Sequence, residues 1–421
     1  MIASETEAQN RREILLTEFG RVRLCTETLC EPLVTEDYQL QSIIQTSPPK
    51  WHIAHVTWFF EAFVLSDFIP GYQPFHPRFN FLFNSYYYTK GDMYPRSERG
   101  LLSRPTVKDI YQYRAHINSA MRDLIESVDI AKLDELYFRV TLGLNHEQQH
   151  QELLLMDIKY NFWANPLKPV YRNNLEIPQG KSRPMRWLER TGGIHGLGHS
   201  NEGFAFDNET PRHDVLIRDH RLADRLVTNG EYLNFIDEGG YSDTTLWLSD
   251  GWVLIQAKGW CHPLYWQQVE GSWMQFSLGG MRDLNPHEPV CHLSFYEADA
   301  YARWADKRLP LECELEAMLS ELPVSGNFAD SDFLHPAPAG NAGQWYGDLW
   351  TWTSSPYMAY PGFKPLAGSI GEYNGKFMSN QMVLKGGCCA TQYGHTRASY
   401  RNFFYPDERW AFTGLRLAAD A

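Results

Sequence analysis

The chain has 421 residues, too long for one compact core, so at least two domains are expected. A formal net charge of −13 at pH 7 argues against nucleic acid or an anionic membrane as partner, and 43% hydrophobic with 21% charged residues is an ordinary globular balance. Seven cysteines with no CxxC pair, no secretory apolar segment and no run of membrane-spanning length point to free thiols in a reducing cytoplasm.

The pattern is helical from the start to about residue 165. A first amphipathic helix covers residues 6–30. A second starts near Pro48-Pro49, where proline suits the first helical turn, and carries Trp51, His52, His55, Trp58, Phe59, Phe63 and Phe68. A third follows Thr106-Val107-Lys108-Asp109, a good N-terminal capping sequence, and runs to about Val128. A fourth spans about Asp134 to Phe162, with apolar residues at helical intervals and no proline. Together they read as a four-helix bundle, a fold whose metal sites are built inward from facing helices. Between helices two and three, residues 70–105 form an aromatic and basic insertion. It contains Phe83-Asn84-Ser85-Tyr86-Tyr87-Tyr88, then Arg96, Arg99 and Arg104. A long insertion of that kind is more often functional than not.

Residues 166–184 read as a linker, rich in Pro, Asn and Gly. From 185 to 421 the chain is rich in Gly, Trp and Tyr and reads as short strands and structured loops, with helices near 232–238 and 294–306. The whole is therefore expected to be α+β.

The chemistry centres on Asn145-His146-Glu147-Gln148-Gln149-His150-Gln151-Glu152 in the fourth helix. Histidines at i and i+4 project from one helix face and form a clamp for a divalent transition metal. His-Glu-x-x-His is also the signature of zinc proteases, but no suitably spaced third ligand follows it. A third imidazole lies upstream instead, and by spacing alone either His52 or His55 could supply it. Three neutral imidazoles leave coordination positions open, as catalytic sites do.

At these residues the chain resembles known families. The first half resembles the DinB-like helical bundle. The second half resembles the formylglycine-generating-enzyme-like (sulfatase-modifying-factor) domain, through Gly203-Phe204-Ala205-Phe206-Asp207-Asn208-Glu209, Val227-Thr228-Asn229-Gly230-Glu231-Tyr232, Lys307-Arg308-Leu309-Pro310 and Gly414-Leu415-Arg416-Leu417-Ala418. In that order, and joined by the His146–Glu152 motif, they resemble the nonheme iron sulfoxide synthases of ergothioneine biosynthesis over nearly the whole chain. The resemblance implies an Fe(II) held by His55, His146 and His150. It gives His52 no role, so removal of His52 is expected to leave the metal in place. It also implies small-molecule substrates: N-α-trimethylhistidine (hercynine), a thiol and O2. The product carries a sulfoxide sulfur on imidazole C2.

The family also uses a tyrosine that supplies a proton as oxygen is reduced. One branch carries it after a Tyr-Pro-Gly-Phe motif, present here as Tyr360 to Phe363, but Ile370 stands in the tyrosine's place. The other branch uses tyrosines of the bundle's insertion, matching Tyr86 and Tyr87, and the chain is expected in that branch. Arg96 and Arg99 match the arginines that hold the thiol's carboxylate. Gln149, Asn402, Phe403 and Phe404 match positions lining the hercynine pocket. Phe404 replaces the Asp that pairs with the amino group of γ-glutamylcysteine, which favours free cysteine. The alternatives are γ-glutamylcysteine, a selenosugar or histidine in place of one substrate and, in a different class, a zinc DinB-like thiol transferase. Cys388-Cys389 does not match the spaced copper-binding pair of formylglycine-generating enzymes and reads as buried free thiols.

Overall fold

The computed structural model describes residues 5–340 and 343–421. The chain divides into two compact units, one of residues 1–164 with Leu366–Tyr373, the other of residues 165–365 with 374–421. The first is helical. Helix α1, Glu5–Cys30, opens with Glu5 and Glu7, which suit the positive end of a helix. It buries Leu15, Phe19, Val22, Thr26 and Cys30 at helical spacing. Helix α2, Pro49–Phe60, has Pro49 in its first turn, and all of its residues are buried, as befits the centre of a bundle.

The expected single helix through Phe68 widens into a π turn at Glu61–Leu65 before the short α3, Ser66–Phe68. Buried Glu61 accepts hydrogen bonds at this turn from the Phe75 amide (2.7 Å) and the Tyr113 hydroxyl (2.5 Å). Helix α5, Val107–Ser127, starts on the expected cap: the Thr106 hydroxyl accepts from the Asp109 amide, and Asp109 accepts from the Thr106 amide. Helix α6, Ile130–Ala164, has 35 residues, several more than its sequence pattern suggests.

The insertion is less of a loop than expected. It holds helix α4, Phe79–Phe83, and 3₁₀ turns at Tyr88–Lys90 and Arg96–Leu101. It is tied to α2 by the indole N–H groups of Trp51 and Trp58, which donate to Leu82 O (3.2 Å) and Asn80 Oδ1 (3.0 Å).

The second unit mixes sheets and helices. Strands β1 (Trp187–Arg190), β4 (His220–Ala223) and β14 (Ala418–Asp420) form one antiparallel sheet in the order β1-β4-β14. A four-stranded sheet runs β12 (Asn402–Phe404), β11 (Met382–Lys385), β10 (Trp350–Pro356), β13 (Thr413–Gly414), with β10 and β13 parallel. The two expected helices are α7, Asn229–Asp237, and α9, Phe295–Trp304, each opened by a capping box, at Thr228/Glu231 and Ser294/Glu297. Two further helices, α8 (Ser249–Lys258) and α10 (Glu312–Leu319), have no counterpart in the sequence expectation; both are short, and packing selects them. Residues 166–184, read as a linker, are held on this unit. The amides of Tyr171 and Arg172 donate to Leu278 O, and Tyr171 is buried. The seven cysteines are free thiols. No helix among the described residues is long and apolar enough to cross a membrane.

Candidate metal centre

His55 sits on α2, and His146 and His150 on α6. One nitrogen from each lies within 4.8 Å of the others, the separation needed to share one ion. The ring centroids are 4.7–5.0 Å apart. The i and i+4 spacing on α6 supplies two imidazoles, and the packing of α2 on α6 supplies the third.

Each ring is oriented by its surroundings. His55 is stacked between Trp51 and Trp58, at 4.6 and 5.6 Å. Its Nδ1–H donates to Phe83 O at 2.6 Å, so its lone pair is on Nε2. His146 lies against Phe59 at 4.8 Å. His150 meets Nδ1 of His52 through its own Nδ1 at 2.8 Å. His52, which the resemblance leaves without a role, therefore touches a member of the set directly.

Burial holds the three imidazoles neutral. It pushes His146 down to about 3 and lowers His55 and His150 well below the usual histidine range. Neutral rings are the form that binds a metal. His55 Nε2 and both nitrogens of His146 are buried without a hydrogen-bond partner among the described residues. Buried polar atoms are rarely left that way, so a divalent transition metal fits this donor set.

Glu147, the carboxylate of the protease-like motif, faces away from these rings. It accepts from Arg23 (2.8 Å), Arg114 (2.7 Å) and the Thr26 hydroxyl (2.6 Å) and has no exposed side-chain surface. Burial raises its pKa, but Arg114 and Arg23 outweigh that and hold it at about 2. A carboxylate so engaged cannot serve as the base of a zinc protease.

Phenols crowd the same place. Tyr87 is fully buried and Tyr86 half-buried, with ring centroids 4.6 Å apart. Asn84 fixes this loop: it accepts from the Tyr87 amide at 3.1 Å and donates to the Tyr87 carbonyl at 2.9 Å. Burial raises the pKa of both phenols.

A third phenol comes from the segment Leu366–Tyr373, which belongs to the helical unit although it lies far along the chain. The Tyr373 ring is 5.5 Å from His146 and 6.1 Å from Tyr86, and its hydroxyl donates to Gln149 Oε1. The segment is fastened by Glu372, whose carboxylate accepts the amides of Tyr88 and Thr89 at 3.0 Å each. Thr89 Oγ1 also meets Ser369 Oγ at 2.8 Å. Sequence reading assigned the family's tyrosine position to Ile370 and kept Tyr373, three residues later, only as a fallback to Tyr86 and Tyr87. The available signal was a Glu-Tyr pair after the Tyr-Pro-Gly-Phe motif, but nothing local shows that this pair turns back onto the bundle.

The two arginines differ. Arg99 is buried, lies 3.4 Å over the Trp51 ring, and donates to the Ser47 and Ser85 hydroxyls at 3.0 and 2.9 Å. Burial and then Arg96 lower its pKa. Arg96 is exposed and donates to Gln45 O.

Asn402, Phe403 and Phe404 belong to the second unit, on β12. Phe403 stacks on Tyr357 at 4.1 Å and 9°, and Phe404 meets Trp410 edge-on at 5.2 Å. Neighbouring Arg401 donates to Glu312, at 2.6 and 3.2 Å, and to the carbonyls of Asn208 and Met358, at 3.0 and 2.9 Å.

Residues 190–421 match the sulfatase-modifying factor enzyme 1-like domain. The chain is 29% identical to the formylglycine-generating enzyme of Streptomyces coelicolor over 58% of this chain and 92% of that one. It is 31% identical to the hercynine oxygenase of Mycolicibacterium smegmatis, covering 97% of this chain and 99% of that one. It is 30% identical to the hercynine oxygenase of Mycobacterium tuberculosis, covering 97% and 96%. The fold and site define an oxidoreductase that pairs a histidine-lined helical unit with a sulfatase-modifying-factor domain. The chain belongs to the hercynine oxygenase family.

Proposed function

We propose that the chain holds one Fe(II) on His55, His146 and His150. We propose that it joins the sulfur of cysteine to imidazole C2 of hercynine, with O2 as oxidant, in ergothioneine biosynthesis. The observation that carries this reading is the meeting of three neutral imidazoles, two buried and one half-buried, with the Tyr86, Tyr87 and Tyr373 phenols, in a chain of this family. Iron bound there would supply open coordination positions and electrons for O2 chemistry. The reaction balances without a further reductant. The C2–H and S–H hydrogens leave with one oxygen atom as water, and the other oxygen atom stays on sulfur.

The protein's own residues divide the remaining tasks. Arg99 and Arg96 take the carboxylate of the thiol substrate, the buried guanidinium giving direction and the exposed one long-range attraction. In support, Arg99 Nε is buried with no partner among the described residues. Tyr86 and Tyr87 store a proton, because burial keeps each phenol in its protonated form, and release it as oxygen is reduced. Tyr373 orients Gln149, which receives hercynine; Asn402, Phe403 and Phe404 are assigned to the same substrate by the family resemblance alone. Aromatic faces suit its trimethylammonium group. Phe404 offers no carboxylate to an amino group, so cysteine is favoured over γ-glutamylcysteine.

The test is one incubation series of the Fe(II)-loaded protein with hercynine and O2, read by mass spectrometry. Cysteine should give the C–S sulfoxide. γ-Glutamylcysteine, a selenosugar, and histidine in place of hercynine should give little or none. The absence of any C–S product with every donor, together with zinc in the purified protein and no O2 uptake, would leave the thiol-transferase reading instead.

A further inference from the structure

The proposed metal set uses three histidines, yet a fourth belongs to the cluster. His52 lies one turn before His55 on α2 and is 3% exposed. Its Nδ1 is 2.8 Å from Nδ1 of His150, and its Nε2 is 2.9 Å from Oδ2 of Asp157. Asp157 lies two turns after His150 on α6, is 1% exposed, and accepts the Ser47 amide on the same oxygen at 2.7 Å. Asp157, His52 and His150 thus form a continuous hydrogen-bonded chain that runs from two buried residues to the half-buried His150.

The direction of the hydrogen bonds follows from the chemistry of its ends. An ionised carboxylate only accepts, so His52 donates from Nε2. A neutral His52 then has a bare lone pair on Nδ1. Two facing Nδ1 atoms at 2.8 Å need one proton between them, so His150 donates it. The lone pair of His150 is thereby fixed on Nε2. The usual partner of a metal-binding histidine is a carboxylate or carbonyl; here a second imidazole carries that influence from the carboxylate.

We infer that His52 and Asp157 are positioning residues for His150, fixing its tautomer and ring orientation and strengthening it as a metal donor. The inference rests on the reading that His55, His146 and His150 hold a metal. It gives His52 a role where the family resemblance gave it none.

The full-length protein, stripped with chelator, is titrated with Co(II) under competition, and the visible ligand-field spectrum is recorded. His52→Leu should weaken Co(II) binding about 10–100-fold and alter the spectrum, as loss of such partners does. His52→Asn places a carboxamide oxygen near the former Nδ1, accepts from His150, and should recover much of the affinity. Asp157→Asn keeps the geometry but removes the charge, and should fall between wild type and His52→Leu. Wild-type affinity and spectrum in His52→Leu, or His52→Asn no better than His52→Leu, would overturn the inference. Should His52→Leu fail to fold, Asp157→Asn decides, and unchanged affinity and spectrum there overturns it. His146→Ala tests the parent reading separately: if it binds Co(II) as tightly as wild type, the three-histidine site itself is wrong.

Discussion

His146 and Glu147 are adjacent, yet they face different surroundings, because successive helical residues point about 100° apart. His146 turns to the imidazole cluster and Glu147 to the arginines of α1 and α5. Sequence alone reads both as one motif, and only the positions of Arg23 and Arg114 separate them. At this scale the phenols allow a sharp test. If Tyr86 and Tyr87 supply the proton, the Tyr86→Phe, Tyr87→Phe double variant should keep consuming O2. Its product should shift from the C–S sulfoxide towards cysteine sulfinic acid, since a general acid is worth about a hundredfold or more. Tyr373→Phe should give a smaller shift, because its hydroxyl is engaged by Gln149. Quantifying both products by mass spectrometry checks this, and a Tyr373→Phe effect larger than the double variant's would transfer the acid role to Tyr373. Arg99→Leu should raise the KM for the thiol about 10–100-fold and leave that for hercynine unchanged. Arg96→Leu, at an exposed position, should do so more weakly; steady-state kinetics in each substrate distinguish the two.

The helices of the bundle were legible because period, proline and capping residues agree along each of them. Thr106 with Asp109 and Pro49 mark their ends in sequence and in structure alike. The segment Leu366–Tyr373 was not legible, since its fixing contacts are made 280 or more residues away in sequence, at Thr89 and Tyr88. Its fastening depends on Glu372. Glu372→Ala should expose this segment to protease about tenfold more readily, the effect of losing about 1.4 kcal/mol of restraint. It should also reproduce the product shift of Tyr373→Phe. Protection equal to wild type in timed proteolysis would show that Glu372 is not the tie. A second element-scale dependence lies where α6 crosses α2. A Cβ on Gly143 would lie 2.7 Å from the Phe60 ring and 3.1 Å from the Phe59 ring, both fully packed. Gly143→Ala should force the helices apart next to His146 and cost about 1–3 kcal/mol, read as a lower denaturation midpoint with weakened Co(II) binding.

Across the whole molecule, the α+β class and the His146–His150 pair were readable from composition shifts and helical spacing, and His55 was separated from His52 only by the family resemblance, while the networks that stabilise each unit were not readable. Those networks join residues distant in sequence around buried carboxylates, and they give both units a shared weakness to acid. In the second unit Glu288 accepts from Gln275 at 2.9 Å and His335 at 3.1 Å, and pairs with Arg282. Burial raises its pKa, but His335 and then Arg282 outweigh it and hold the carboxyl at about 2, against 4.5 for a free glutamate. A carboxyl depressed in the folded state binds its proton more readily when unfolded. Its stabilising contribution is therefore complete above about pH 4.5 and is lost as pH falls towards about 2. The difference corresponds to about 3 kcal/mol. Glu288→Gln should lower Tm at neutral pH, because Arg282 and His335 lose a charged partner. It should also flatten the fall in Tm with acid, because no depressed carboxyl remains there to protonate. Melting curves of the two proteins from about pH 7 to about pH 3 should converge as the acid limit is approached. If the two curves instead stay parallel across that range, Glu288 is not a source of the acid dependence.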